Sequence, residues 1–303
     1  MPHIPLSGGR RRRFLAPWLL VAALVLLVAA VVVAEAEVQQ RSSVRRARAP
    51  AAAAPATRVV TRPVRGPRIP RRARTERVMA REIDAVLRRT PFVTAGVGRA
   101  RLVALTFDDG PSPYTGPIVR TLLRLGAPAT FFVVGQQLRY FATGLHAELQ
   151  HGFVVGDHTV NHALLPRLGR GAKLTQIALD ARMLRADGVP PVHLFRPPYG
   201  AYDRVTLSIL ARLHMLMVMW SVDPGDWRRP GVRAIVAAVL RSVKPGAIII
   251  LHDGGGDRTQ TAAALPAVVR GLRRRGYRLV TVPELISRDP PPRHQRSPHP
   301  TGA

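Results

Sequence analysis

RLVALTFDDGP, residues 101–111, opens the folded part of the chain: an apolar run that ends abruptly in two adjacent carboxylates and a Gly110-Pro111 turn. It is the first of several short apolar or β-branched runs between residues 101 and 282 that alternate with amphipathic segments. That alternation is the pattern of a parallel sheet or barrel covered by helices. Strands are expected near 102–107, 130–134, 153–156, 192–195, 215–221, 247–251 and 278–282, with helices in the gaps. The clearest helix runs from Val232 to Val243, where Val232, Ile235, Val236, Val239, Leu240 and Val243 recur at helical spacing.

About seven strands with intervening helices allow either a closed barrel or an open doubly wound sheet, and periodicity does not separate them. The polar residues do more. Asp108 and Asp109 follow the first expected strand, His158 the third, Arg196 the fourth, Asp223 and Asp226 the fifth, and His252 the sixth. Chemistry gathered at the carboxyl ends of several strands is what a barrel mouth provides. The expected fold class is therefore α/β, a distorted (β/α) barrel.

Each of these positions has an ordinary explanation when taken alone. Asp108 and Asp109 cannot both point at one atom, so one is placed to ligate a metal while the other faces a reacting water, yet Asp-Asp-Gly is also a common solvated turn. His158 and His162 stand four residues apart and share one face if the segment turns helically; such a pair is coincidence about half the time. Two histidines and one carboxylate would leave open positions on a metal for water and substrate. Arg196-Pro197-Pro198-Tyr199-Gly200 offers a guanidinium to orient a carboxylate and a fixed backbone, or simply a rigid turn. Asp226 and Trp227 supply a carboxylate and an indole wall, and His252 ends an apolar strand, where a histidine is usually structural. Together the ordinary explanations fail, because five separate turns would have to deliver metal-binding and acid-base residues to one sheet edge by accident.

In this order the five segments resemble the motif series of the NodB-homology polysaccharide deacetylases, carbohydrate esterase family 4, over residues 101–286. The resemblance implies a distorted barrel and a metal-dependent hydrolase. It makes Asp108 the general base, His252 the general acid, and Asp109, His158 and His162 the ligands of one divalent metal. Zinc is the expected ion, although the ligand set suits other divalent metals. Arg196 would position Asp108, and Asp226 would pair with His252. The Tyr199 N–H would help hold the oxyanion, and Trp227 with Leu251 would form an apolar wall beside the acetyl group. The implied substrate is an N-acetylated polysaccharide, peptidoglycan or another GlcNAc polymer, from which acetate is released. Two departures stand out: Ile250 replaces a common leucine, and Asp157 precedes His158 where an amide is frequent.

Outside that core the chain reads differently. Arg10 to Arg13 precede an uncharged run over 14–34, long enough to span a bilayer, so a signal anchor is expected, with the catalytic domain outside the cell membrane. Ala34 and Ala36 also fit cleavage of a signal peptide and secretion, and Arg11-Arg12 is similar to a twin-arginine export signal. Residues 1–13 form a basic cytoplasmic segment, 35–75 an Ala/Pro/Arg linker, 76–288 the catalytic domain and 289–303 a disordered Pro-rich tail. A helix over 76–89 is expected to pack at the domain edge through Val78, Ile83, Val86 and Leu87.

The net charge of +28 is global: residues 1–100 carry 20 arginines against 5 acids, and residues 101–303 carry 26 Lys and Arg against 13 acids. Such a field attracts polyanions without choosing among them. Nucleic acid is not an expected partner, because no aromatic-interleaved basic cluster is present and export conflicts with it. The absence of cysteine excludes disulfides, thiolate nucleophiles and Cys-ligated zinc. Two other functions compete with N-deacetylation: an O-acetyl esterase of the xylan type using the same site, and a non-catalytic, membrane-anchored module that binds anionic wall polymers.

Overall fold

The structure, a computed structural model, describes residues 72–293 and 295. The expected basic segment 1–13, the apolar span 14–34 and the linker as far as residue 71 lie outside the described residues. Among the described residues no helix is long and apolar enough to cross a membrane.

The strands are β1 (Phe92–Val93), β2 (Leu102–Asp108), β3 (Thr130–Val133), β4 (Val154–Asp157), β5 (Leu194–Phe195), β6 (Leu216–Val218), β7 (Ile248–His252) and β8 (Arg278–Val280). They form one sheet in the order β1-β6-β5-β4-β3-β2-β7, every pairing parallel. β8 shares an edge of β2 with β7: β8 pairs Leu102 to Ala104, and β7 pairs Ala104 to Asp108. The helices are α1 (Arg72–Leu87), α2 (Thr115–Arg124), α3 (Leu138–Gln150), α4 (Arg170–Ala186), α5 (Arg204–Arg212), α6 (Val232–Ser242), α7 (Thr259–Arg274) and α8 (Val282–Arg288). The seven expected strands are all present, and β1 is additional; two residues give no alternation to read.

The sheet curls far enough for its two ends to meet in places. Past β6, Val222 bridges Ile249 of β7, donating to Ile248 O at 3.1 Å and accepting from Ile250 N–H at 3.0 Å. Past β1, Ala95 bridges Ala247 just before β7. The architecture is thus a curled half-barrel rather than a flat doubly wound sheet.

Side-chain alternation divides the core. Val103, Leu105 and Phe107 of β2, Phe131 and Val133 of β3, and Ile249 and Leu251 of β7 face outward and pack against α2, α6 and α7. Ala104, Phe132, Leu194, Leu216, Val218 and Ile248 face inward, joined by Val282, Leu285 and Ile286 of α8 and by Ile83 and Val86 of α1. The amino-terminal half of the interior is therefore apolar. Toward the carboxyl ends the same inward positions become Thr106, Asp108, Arg196 and His252, and the interior turns polar where the strands stop.

Two boundaries differ from expectation. α1 begins at Arg72, inside the stretch assigned to the linker, and Val78 is 50% exposed while Ile83 is fully buried, so only the second half of the apolar face meets the domain. The Pro-rich tail starts with structure. Asp289 is buried and accepts from the N–H groups of Gly98 (2.9 Å) and Arg99 (3.1 Å), and the Gln295 side-chain amide donates to Phe92 O at 2.8 Å. Those bonds satisfy backbone groups at the sheet's edge, which a composition argument does not anticipate.

Phe131 is fully buried, stacked on Phe107 at 5.1 Å and met edge-on by Phe153 at 5.4 Å. Phe131→Ala is expected to lower unfolding stability by about 3–5 kcal/mol, the range for truncating a buried aromatic ring, read as a shift in the denaturant midpoint.

Candidate active site

At the carboxyl edge lies a cavity of about 510 Å³ lined by Asp108, Asp109, His158, His162, Tyr199, Trp227 and His252, among others. β2 places Asp108 in register with His252 of β7, so two strand ends set these residues side by side. Asp109 follows in the left-handed region, with φ 73. Asp109, His158 and His162 offer ligand atoms that all lie within 4.8 Å of one another.

The His158–His162 pair does not converge as expected. No helical turn joins the two; the segment is a loop in which Thr159 (φ 69) and His162 (φ 58) are left-handed. A β-branched residue at positive φ is uncommon, and such conformations persist only where surroundings hold them. Here Asp157 Oδ1 accepts from Thr159 N–H at 2.9 Å, and Thr159 O and Val160 O accept from Gly135 and Gln136. The loop brings the two imidazole rings to 5.0 Å.

The donor set fits a divalent cation. His158 Nδ1 is 2.7 Å from Arg196 O, a bond that only an Nδ1–H can make, so in the neutral ring that ligates a metal Nε2 carries the lone pair. That Nε2 faces Asp109 Oδ1 at 3.4 Å, and His162 Nε2 faces the same oxygen at 3.1 Å. Asp109 Oδ1 is buried and makes no conventional hydrogen bond among the described residues. Burial pushes the Asp109 carboxyl up, but His158 and His162 outweigh it and hold it far below the usual carboxylate range. Burial pushes His158 down, and the charges of Asp108 and Asp109 reverse the sign and raise it. Two imidazoles drawn to one ionised oxygen are short of positive charge, which a cation would supply.

Arg196 is fully buried and makes four hydrogen bonds. Nε donates to Val218 O (2.9 Å), Nη2 to Met219 O (3.1 Å), and Nη1 to Thr106 Oγ1 and Asp108 Oδ1, both at 2.7 Å. Its Cζ lies 4.2 Å from the centre of the Phe132 ring. Burial lowers its pKa and the Asp108 charge opposes that. Asp108 is thereby held by one oxygen, and its Oδ2 lies 3.9 Å from His158 Nε2.

Asp226 is buried; its Oδ1 accepts from His252 Nδ1–H at 2.8 Å, while Oδ2 accepts from His252 N–H at 2.9 Å and Thr261 Oγ1 at 2.7 Å. This leaves His252 Nε2 for the cavity. Burial pushes the imidazole down, but the Asp226 hydrogen bond and charge, with Asp108 and Asp109 behind, hold its pKa at about 9.

Tyr199 has φ 60, and its ring lies 4.4 Å from that of His162. Gly200 and Ala201 donate to Pro197 O and Pro198 O, whereas the Tyr199 N–H has no such partner among the described residues. Trp227 is half-exposed at the rim, with the Arg228 guanidinium 4.5 Å from its ring centre. Leu251 is not part of the wall. Strand alternation turns it into the outer core, 1% exposed, while Ile250, on the same face as His252, lines the cavity instead.

Several lining or supporting residues escaped the sequence reading. Thr106, which donates to Ile249 O at 2.8 Å and accepts from Arg196, was legible as the residue two before Asp108 on the same strand face. Gln136 and Gln137, a polar pair just past β3, carried the same strand-end signal. Trp220 lines the cavity beside Arg196, and Arg258 lines it from a loop; neither spacing nor composition marks them.

The sequence profile described as polysaccharide deacetylase matches residues 95–218. A peptidoglycan-N-acetylglucosamine deacetylase of Bacillus cereus is 38% identical over 201 residues, covering 65% of this chain and 94% of that protein. A chitooligosaccharide deacetylase of Bradyrhizobium sp. is 36% identical over 203 residues, covering 62% of this chain and 92% of that one. Among solved structures, the Bc1960 peptidoglycan N-acetylglucosamine deacetylase is similar with a TM-score of 0.63 and 28% identity, over 66% of this chain and 95% of that chain.

Proposed function

We propose that this chain, which belongs to the polysaccharide deacetylase family, hydrolyses N-acetyl groups of a GlcNAc polymer outside the cytoplasm, with peptidoglycan as the foremost substrate. The observation that carries the reading is the meeting of Asp109, His158 and His162 within 4.8 Å of one another, in the cavity that Asp108 and His252 also line. The products are acetate and a free amine. The apolar run over 14–34 behind four arginines supports a membrane anchor with the catalytic domain on the far side.

Asp109, His158 and His162 would hold one divalent ion, with zinc the expected metal, and a bound ion would supply Lewis acidity to a water and to the acetyl carbonyl. Asp108 takes the proton of the attacking water through Oδ2. The Arg196 bond to Oδ1 supports this role, since it fixes the carboxylate without occupying both oxygens. The Tyr199 N–H faces the charge that develops on the carbonyl oxygen. His252 donates its Nε2 proton to the departing nitrogen, and Asp226 holds the imidazole in the orientation and charge state for it. Trp227 and Ile250 bound the acetyl methyl.

Acetate released from chitin oligomers and from peptidoglycan, with and without a chelator, tests the assignment. Release from neither polymer by metal-replete protein would overturn it, and release from acetylated xylan alone would move it to O-acetyl esters.

The acid's pKa sets a pH dependence. A group raised above its ordinary value stays protonated up to the raised pKa, so activity is present below it and lost as pH rises through it. A cation beside Asp109 removes part of the carboxylate contribution, so the basic limb of kcat/KM is expected between 6.5 and about 9. Asp226→Asn removes the largest raising cause and is expected to shift that limb to lower pH. A limb that stays in place in Asp226→Asn would take Asp226 out of the acid's control.

A further inference from the structure

The loop after β7 presses directly on Asp109. A Cβ on Gly254 would collide with the Asp109 carbonyl, and one on Gly255, at φ +71, would collide with Asp109 Oδ2. The backbone of this loop is therefore the support on which Asp109 rests, and only glycine leaves it room.

The Gly254 N–H donates to Asp108 O at 3.2 Å, and the loop's carbonyls are gathered by one guanidinium. Arg258 is 5% exposed; its Nε donates to Gly254 O at 2.6 Å and its Nη2 to Gly255 O at 2.9 Å. Nη1 donates to Trp227 O at 3.3 Å and to Asp257 O at 3.2 Å. None of these four bonds ends on a carboxylate; they divide one buried charge among backbone carbonyls. A planar fork with five N–H groups can collect four such acceptors, and an ammonium on a flexible stem cannot do so in one plane. Trp227 immediately follows Asp226, so the same side chain ties the segment bearing the His252 partner to the segment supporting Asp109.

We propose that Arg258 is a positioning residue that sets the metal-ligand geometry of Asp109 and the placement of the Trp227 wall together, through the Gly254–Gly255 carbonyls. The inference rests on the reading of Asp109 as a metal ligand. A role limited to folding would lower stability and leave the affinity of the folded protein for metal untouched; a positioning role lowers that affinity.

The test is Zn²⁺ affinity of the full-length chain in detergent, measured by competition with a chelating dye for wild type, Arg258→Met, Arg258→Lys and Asp109→Asn. Arg258→Met and Arg258→Lys are expected to bind about 10- to 100-fold more weakly, the loss typical of removing an outer support of a ligand. Unchanged Zn²⁺ affinity in folded Arg258→Met overturns the inference; unchanged affinity in Asp109→Asn overturns instead the ligand assignment beneath it. Hydrogen exchange on the wild type supplies a readout that needs no variant to fold. Added Zn²⁺ is expected to slow exchange at Gly254, Gly255 and Trp227 together, and unaltered exchange at all three with Zn²⁺ bound would also overturn it.

Discussion

His158→Ala is expected to abolish retention of a divalent ion and, with it, acetate release above background. His158 is 2% exposed, its Nδ1 is fixed by Arg196 O at 2.7 Å, and its Nε2 is aimed at Asp109 Oδ1. A ligand held this firmly contributes through pre-organisation as well as through its bond, since no rotamer entropy is left to lose when the ion arrives. Removing it leaves one half-buried imidazole and one carboxylate, a set too small to exclude bulk water from the ion. Loss of affinity should exceed the roughly 10- to 100-fold that follows loss of an outer partner of a metal ligand. Metal content after dialysis, measured together with acetate release, checks this. Stoichiometric metal in dialysed His158→Ala would show that the ion sits elsewhere and would remove the centre from which the reaction is argued.

The alternation of apolar runs with amphipathic segments was enough to find seven strands, because a parallel sheet covered by helices writes itself into the sequence as buried runs at regular spacing. It did not reveal β1, whose two residues owe their pairing to Met217 and Val218 across the sheet rather than to local pattern. The closing contact between Val222 and Ile249 was equally invisible, since backbone pairing past a strand end has no side-chain signature. In the site, residue type and position after a strand located Asp108, Asp109, His158, Arg196 and His252. Conformation was harder: the histidine pair meets through left-handed Thr159 and His162, which spacing read as a helical turn. Leu251 shows the same limit from the other side. The family resemblance put Leu251 in the apolar wall, but a period of two sends it to the face opposite His252, and Ile250 takes the position.

Burial also explains what the sequence left silent about charge. Asp157 and Asp180 are both fully buried close to the histidine loop, and burial raises both carboxyls, Asp157 to about 7. Such pairs depend on which helix lies against which loop, a tertiary fact. The Arg258 clamp has the same origin: its acceptors are carbonyls of Trp227, Gly254, Gly255 and Asp257, and backbone acceptors carry no residue code.

Asp108→Asn is expected to keep the metal and lose turnover, with kcat reduced by about 10²- to 10⁴-fold, the contribution of a positioned general base. The asparagine carbonyl oxygen can still accept from Arg196 Nη1, so the buried guanidinium is not orphaned as it would be by Asp108→Ala, which would expose the fold to the roughly 3–5 kcal/mol penalty of an uncompensated buried charge. Asp109, His158 and His162 are untouched, so metal content should match the wild type. KM should change little, because the carboxylate acts on water rather than on the sugar. Normal metal with lost turnover separates base from ligand, and it is the opposite of the His158→Ala pattern, in which both fall together. Asp108→Asn with wild-type kcat would show that another group accepts the proton. Asp108→Asn with depleted metal, and with kcat restored when excess metal is added, would instead make Asp108 a ligand, and the division of labour between the two adjacent aspartates would have to be reversed.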